Sequence, residues 1–530
     1  MSGSGISACL IVKNEEHNLR ACLESIRPWV DEICIADTGS SDGTLAIARE
    51  FSAKIILFPW TESFAEARNA SLSMAGEAWI LVIDADERLR PECGPRLRSL
   101  VEGAVEQAFL VYQDNPSVEG GCQSIALPRL FRNRPEIRFS RRIHESVMTS
   151  LIALGAGNPN VVDVHLEHVG YSREQIARAG KNERNKELLR LEVQDDPADL
   201  FALYKLGQTL DPDTEAGEKL QTYAAAFRFV ELMPSGQYRE YPFIPLIYSG
   251  YAEILVFAGV LAAAGAVIAA VSEEMRIPEI VWREADLAWR RGDLETAMNG
   301  FQSCLGLPIP DPRVPSDARF RGLAARVRLG DIALELGDPQ AFLQLVGEVN
   351  GADDLSLHCR AQQVRALLAC GSEQKALAQL ERLVGGAGFH PEVRLLLGEI
   401  SLQQNDDSTA LDLFTKASGT SDAGQQAKLQ RMLMALRNND LSTAERLRKE
   451  LVLRDVKAAA MALFVAVLEE AEFVCDEVFT PAALIQQLTH WLSQLVEKGD
   501  EEVLRRFVNC SVAYSGQFPG IDRLLVDDDR

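Results

Sequence analysis

The sequence predicts an α/β N-terminal domain with a mostly parallel sheet and helices on both faces, followed by an all-α solenoid. Three observations carry this. Short β-rich apolar runs alternate with helical patterns up to about residue 175; those runs then fade; and turn-forming residues recur at a spacing of 34. Strands alternating with helices mark βαβ units and a parallel sheet.

The N-terminal elements follow in order. ISACLIVK (6–13) reads as a strand before a helix from Glu15 to Arg27, and EICIAD (32–37) precedes a helix from Thr44 to Phe51. KIILF (54–58) precedes a helix from Ser63 to Met74, and AWILVID (78–84) is the fourth strand.

In the second part, Gly337, Gly371, Asn405 and Asn439 lie 34 residues apart, each followed by Asp or Ser. Three of them have an alanine five positions later, Ala376, Ala410 and Ala444. A turn-former between two helices, with a small residue where the second crosses the first, is what a helical hairpin repeat requires. An earlier unit carries the same pattern at Gly292 and Ala297, offset by the proline-rich insertion PIPDPRVPSD at 308–317. The period resembles that of the tetratricopeptide repeat. The expected division is an α/β domain over 1–178, a helical linker with degenerate repeats over 179–317, and repeats with a C-terminal helical cap over 318–530.

Composition bounds the function. A chain of 530 residues exceeds one core, and 47% hydrophobic with 25% charged residues is ordinary for globular domains. A formal net charge of −23 argues against a nucleic-acid partner, whose phosphates call for lysine and arginine. The ten cysteines form no CxxC pair and read as free thiols, and the N-terminus lacks the pattern of a secretion signal, so a cytoplasmic protein is expected. Ile254 to Val271 has no polar side chain, yet half of it is Ala or Gly. It is expected to be a buried helical hairpin, not a membrane span.

In doubly wound sheets ligands bind beyond the carboxyl ends of the strands. The first strand ends in Lys13-Asn14-Glu15, the second in Asp37 and a Gly/Ser-rich turn, and the fourth in Asp84-Ala85-Asp86-Glu87. In extended backbone, residues i and i+2 project to one side, so Asp84 and Asp86 are expected to converge on one divalent cation. Such a cation bridges the phosphates of a nucleotide diphosphate and eases its departure.

VKNEEHNLRACLESI, DEICIADTGSSDGT, FAEARNASL and WILVIDADE resemble the nucleotide-sugar-binding half of family-2 glycosyltransferases, whose fold is the Rossmann-like GT-A domain. RLFRNRPEIRFSRRIHE and HVGY, with repeats behind, are similar to a bacterial subgroup that includes flagellin and bacteriocin protein glycosyltransferases. The chain departs from that subgroup where Arg141 or Arg142 replaces a small residue before IHE. The resemblance covers about residues 5–175.

It implies that Asp37 meets the uracil or ribose, aided by Lys13, Asn14 and Glu15, and that Arg68 lies near the ribose-phosphate. Asp84 and Asp86 would hold Mn²⁺ or Mg²⁺ against the diphosphate of a UDP-sugar, with Asp84 also contacting the donor and His168 preferred to His165 as a further metal ligand. An inverting transfer needs a base. Glu145, after the arginine-rich segment, is the candidate, with a salt bridge to Arg138, Arg141 or Arg142 as the alternative reading and Asp114 as the next candidate. Members of the cluster 129, 132, 134, 138, 141 and 142 are a solvated face or neutralise diphosphate. The function expected is transfer of a sugar to a hydroxyl or thiol of a protein or peptide docked on the repeats. A transferase acting on lipopolysaccharide or another glycan, and a non-catalytic scaffold, are the alternatives.

Overall fold

The computed structural model describes residues 3–116, 122–157, 159–168, 175–234, 238, 241–308, 316–349, 353–471, 473, 479–498, 501–514, 517–518 and 521. Val169, Gly170 and Tyr171 of HVGY, Cys475 and most of the 308–317 insertion lie outside them, as does the side chain of Cys122.

The chain forms two compact units. The first takes in the described residues up to Leu210 and those of 228–243; the second takes in 211–227, 244–308 and those from 316 onward. The expected boundary at 178 falls inside one helix, Gln175–Asp195.

The first unit holds β1 (Ile6–Val12), α1 (Leu19–Ile26), β2 (Glu32–Asp37), α2 (Thr44–Glu50), β3 (Lys54–Leu57), α3 (Phe64–Leu72), β4 (Trp79–Val82), β5 (Glu87–Leu89), α4 (Cys93–Val101), β6 (Ala108–Pro116), β7 (Cys122–Arg132), α5 (Met148–Ala153), β8 (Asn160–His168), α6 (Gln175–Asp195) and α7 (Leu200–Thr209). The strands form one sheet in the order β3-β2-β1-β4-β7-β6-β8-β5. β3, β2, β1 and β4 are parallel, as expected. β7 joins β4 antiparallel and pairs antiparallel with β6, β8 lies parallel to β6, and β5 closes antiparallel on β8.

β1 shows why this sheet is a two-sided layer. Ile6, Ala8, Leu10 and Val12 pack into one core with Leu19, Leu23 and Ile26 of α1 and Leu97 of α4. Cys9 packs on the other face with Leu72 of α3 and Leu151 of α5. With both faces covered, the strand reads as continuous apolar sequence. Ser63 accepts the Glu66 N–H and so caps α3.

The second unit is helical. α8 (Ala216–Glu231) begins in it, and α9 (Ile244–Phe257) and α10 (Leu261–Ala269) split the apolar stretch at Gly259, whose φ is +78°. Among the described residues no helix is long and apolar enough to cross a membrane.

Helical pairs follow: α11 (Pro278–Arg291) with α12 (Leu294–Gly306), α13 (Leu323–Glu335) with α14 (Pro339–Val346), α15 (Asp354–Ala369) with α16 (Glu373–Ala387), α17 (Pro391–Gln403) with α18 (Asp407–Ala417), and α19 (Asp422–Arg437) with α20 (Leu441–Glu450). α21 (Val456–Glu469), α22 (Pro481–Lys498) and α23 (Glu501–Ser511) end the series. Every pair bends at the residue the sequence marks: φ is +86° at Gly292, +79° at Gly337, +68° at Gly371, +60° at Asn405 and +53° at Asn439. Asp293, Asp338, Asp406 and Asp440 then cap the second helices. Ala297, Ala376, Ala410 and Ala444 are buried where the helices cross.

A polar clasp ties three of these first helices together. His358 of α15 lies between Asp331 of α13, at 3.1 Å, and Glu392 of α17, at 2.9 Å. Burial opposes its charge, but Asp331 and Glu392 outweigh it and push the imidazole up to about 10.

Candidate active site

The strand ends meet at one edge of the sheet. Val12 pairs with Asp37 across β1 and β2, while Cys9 pairs with Val82 across β1 and β4, so the residues that follow β1, β2 and β4 leave from the same side. The loops after β1 and β2 are laced together. Asn14, at φ +56°, donates its N–H to Ser40 Oγ at 2.9 Å and accepts the Ser41 N–H at 2.8 Å. The Glu15 N–H donates to Thr44 Oγ1 at 2.7 Å. Asp37 is buried and its carboxylate accepts the N–H groups of Gly39 and Ser40, which fixes the Gly/Ser turn. Lys13 beside them is exposed.

Asp84 and Asp86 do not lie in extended backbone. The Glu87 N–H donates to the Asp84 carbonyl at 3.0 Å, closing a turn over 84–87, so the alternation that would aim both carboxylates to one side is absent. They diverge. Asp84 Oδ1 accepts from Arg68 Nη2 at 2.7 Å and its Oδ2 from Arg129 Nη2 at 2.8 Å. Burial would raise the Asp84 pKa, but Arg129 and Arg68 together hold its carboxyl well below the usual range. Asp86 Oδ2 instead lies 3.0 Å from His168 Nε2, a contact between residues 82 apart in sequence. That contact, working against burial, raises the His168 pKa.

Arg68 is the hub. Its Nε donates to Glu145, so Glu145 is paired with Arg68 and not with Arg138, Arg141 or Arg142. Its Nη1 is buried without a hydrogen-bond partner among the described residues. Glu145 is delivered by a tight loop. Ser140 and Ser146 exchange backbone hydrogen bonds of 3.1 and 3.2 Å, and Arg141 and His144 within it adopt φ of +86° and +52°. Non-glycine residues held left-handed carry strain that the surroundings must offset. Arg141 forms a bidentate pair with Asp199 and Arg142 pairs with Asp195, which anchors the loop to the α6–α7 segment. Of the arginine cluster, only Arg129 reaches the Asp84 turn among the described residues.

β6 sorts its side chains into two networks, because successive residues of a strand face opposite ways. On one face, Gln113 donates to Glu87 at 2.6 Å and Asn115 meets His168. Glu87 is fully buried, accepts from Arg129, and takes the Asp84 N–H at 2.7 Å. On the other face, Asp114 is held by Arg90 at 2.7 Å, His165 at 2.9 Å and Ser124. Asp114 therefore faces away from the Asp84 turn with both oxygens occupied. The roles of Glu87, Arg129, Gln113 and Asn115 go beyond what the sequence predicts. Glu87 is visible there as an acidic residue ending a buried strand turn and Arg129 as a member of the arginine cluster; nothing local marks the other two.

The chemistry of the donor set bears on a cation. Among the described residues no group of three or more His, Cys, Asp or Glu is arranged to hold a metal on protein ligands alone. Asp86 and His168 supply one carboxylate and one imidazole, and a divalent ion bound by one or two side chains takes the rest of its shell from substrate phosphates and water. Those two residues fit that role.

An α/β domain whose parallel strands end at one edge, with a helical-repeat region, is the class that this geometry defines. Residues 7–155 match the family model described as Glycosyl transferase family 2. The chain is 38% identical over 221 residues to a TPR repeat-containing protein of Synechococcus elongatus, a match covering 40% of this chain and 55% of that one. It is 28% identical over 224 residues to the SPbeta prophage-derived glycosyltransferase SunS of Bacillus subtilis, covering 41% of this chain and 52% of SunS. Among solved structures, S. aureus TarS 1–349 in complex with UDP aligns with a TM-score of 0.29 at 14% identity, over 58% of this chain and 95% of that one. The chain thus carries a family-2 glycosyltransferase domain followed by tetratricopeptide-like helices, and it spans about half the length of these curated relatives.

Proposed function

We propose that the chain is an inverting glycosyltransferase that moves a sugar from a UDP-sugar to a hydroxyl or thiol of a protein or peptide acceptor. The observation that carries this is the meeting of Asp86 and His168 beside the arginine-held Asp84, at the strand edge of a family-2 domain. The catalytic region is assigned to about residues 1–178 and the helices beyond it to the acceptor.

In this reading the uridine lies over the laced loops at Lys13, Asn14, Glu15 and Asp37. Arg68 faces the ribose-phosphate, and its unsatisfied Nη1 gains an acceptor there. A buried donor left unmade costs about 1–3 kcal/mol. Asp86 and His168 would hold Mn²⁺ or Mg²⁺, which when bound neutralises the diphosphate leaving group. Asp84 contributes by keeping Arg68 and Arg129 in place, in addition to its expected contact with the donor. The acceptor O–H or S–H attacks the anomeric carbon, the bond from that carbon to the diphosphate oxygen breaks, and the proton passes to Glu145. Helical repeats form extended concave surfaces suited to polypeptide, which supports a protein acceptor such as a flagellin.

A panel of nucleotide-sugars scored by thermal shift with and without Mn²⁺ tests the donor half, since a ligand that binds only the folded state raises its stability. A metal-dependent shift with UDP-sugars is expected. No shift with any member contradicts the reading.

A further inference from the structure

We propose that Asn115 is a positioning residue that fixes the ring of His168 so that Nε2 is presented beside Asp86. This rests on the reading of Asp86 and His168 as the cation-holding pair.

The fold brings the two residues together from a distance. β6 and β8 are parallel neighbours with Asp114 opposite Glu167, so Asn115 and His168 follow one step along each strand. β5 lies on the far side of β8, with Glu87 opposite His168, so the Asp84 turn starts next to the same histidine. His168 then has one ring nitrogen on each side. Nδ1 donates to Asn115 Oδ1 at 2.8 Å, and Nε2 lies 3.0 Å from Asp86 Oδ2.

An amide oxygen only accepts, so its contact places a hydrogen on Nδ1. Nε2, which meets the Asp86 carboxylate in this structure, is then the nitrogen that gives up its own hydrogen when a cation comes between the two side chains. An imidazole that binds a cation through one nitrogen usually donates from the other to a carbonyl or carboxylate, and losing that partner weakens metal affinity by about 10- to 100-fold. Here a side-chain amide does this from within the sheet. Gln113, two residues earlier on the same face, donates to Glu87 at 2.6 Å and steadies the other end of the turn. A single strand therefore sets both the histidine and the turn that carries Asp86.

The test is calorimetric titration of MnCl₂ into the full chain with saturating UDP. It compares the wild type with Asn115→Ala, Asn115→Asp and His168→Ala, after thermal unfolding has shown each variant to be folded. Asn115→Ala is expected to weaken Mn²⁺ binding about 10- to 100-fold, and His168→Ala at least as much. Asn115→Asp retains an acceptor for Nδ1 and is expected to bind as well as the wild type or better. If Asn115→Asp loses binding like the alanine variant, the amide acts as a donor and the proposal is wrong. If Asn115→Ala binds within twofold of wild type while His168→Ala does not, His168 is a ligand that needs no help from Asn115. If His168→Ala also binds like wild type, the cation reading itself fails and the proposal with it.

Discussion

Arg68 holds Asp84 through a 2.7 Å hydrogen bond while its Nε reaches Glu145, so one buried guanidinium links the carboxylate that opens the 84–87 turn to the carboxylate proposed as the base. Removing it strands Glu145 and leaves Asp84 to Arg129 alone. Arg68→Met is expected to destabilise the first unit by about 3–5 kcal/mol, the usual result of breaking a buried pair. Urea unfolding measures this, and a loss below about 1 kcal/mol would mean that water or Arg129 replaces the pair without the cost expected of a stranded charge.

Glu145→Gln keeps the shape of the loop and removes the proposed proton acceptor. UDP affinity is expected to stay within a fewfold of wild type while transfer falls by about 10² or more. Asp114→Asn, on the opposite face of the sheet, is expected to lower stability and leave the ratio of transfer to bound donor unchanged. Full transfer by Glu145→Gln would remove it from the chemistry.

Much of this was legible in the sequence. β1 to β4 announce themselves because covered strands are apolar throughout, and the hairpin bends because Gly371 and Asn405 tolerate the left-handed backbone that a helix end needs. The proposed cation site was only half legible. An i, i+2 argument needs extended chain, and the hydrogen bond from the Glu87 N–H to the Asp84 carbonyl makes a turn instead. β6, β7 and β8 mix polar residues among apolar ones because they carry the networks of Gln113, Asp114, Asn115 and Arg129. Their pairing is long-range, so no local pattern disclosed it.

The His358 clasp makes stability depend on pH at both ends. Its folded pKa, about 10, lies above the ordinary 6.5, so its contribution is complete below pH 6.5 and is lost as pH rises toward 10. Asp331 is lowered from 3.8 to about 2, so its contribution is complete above pH 3.8 and is lost as pH falls toward 2. His358→Gln is expected to remove an alkaline slope of up to about 1.4 kcal/mol per pH unit. Urea midpoints from about pH 6 to 10 check this, and parallel curves for the two proteins would contradict it.

Gly371 sits at φ +68° with no atom within 4 Å of the place a methyl group would take, so a side chain there meets strain of the backbone alone. Gly371→Ala is expected to cost about 1–2 kcal/mol, measured by urea unfolding. Asn405→Gly, at a bend where a side chain is already accommodated, is expected to change stability by less.

Calorimetry of UDP with and without Mn²⁺ on the wild type, Asp84→Ala and Asp86→Ala tests the central claim most directly. Asp86→Ala is expected to abolish the Mn²⁺-dependent part of UDP binding in a folded protein. Asp84→Ala also loses it, through the release of Arg68 and Arg129. Unchanged, Mn²⁺-dependent UDP affinity in both variants, or no UDP binding by the wild type at all, would contradict it.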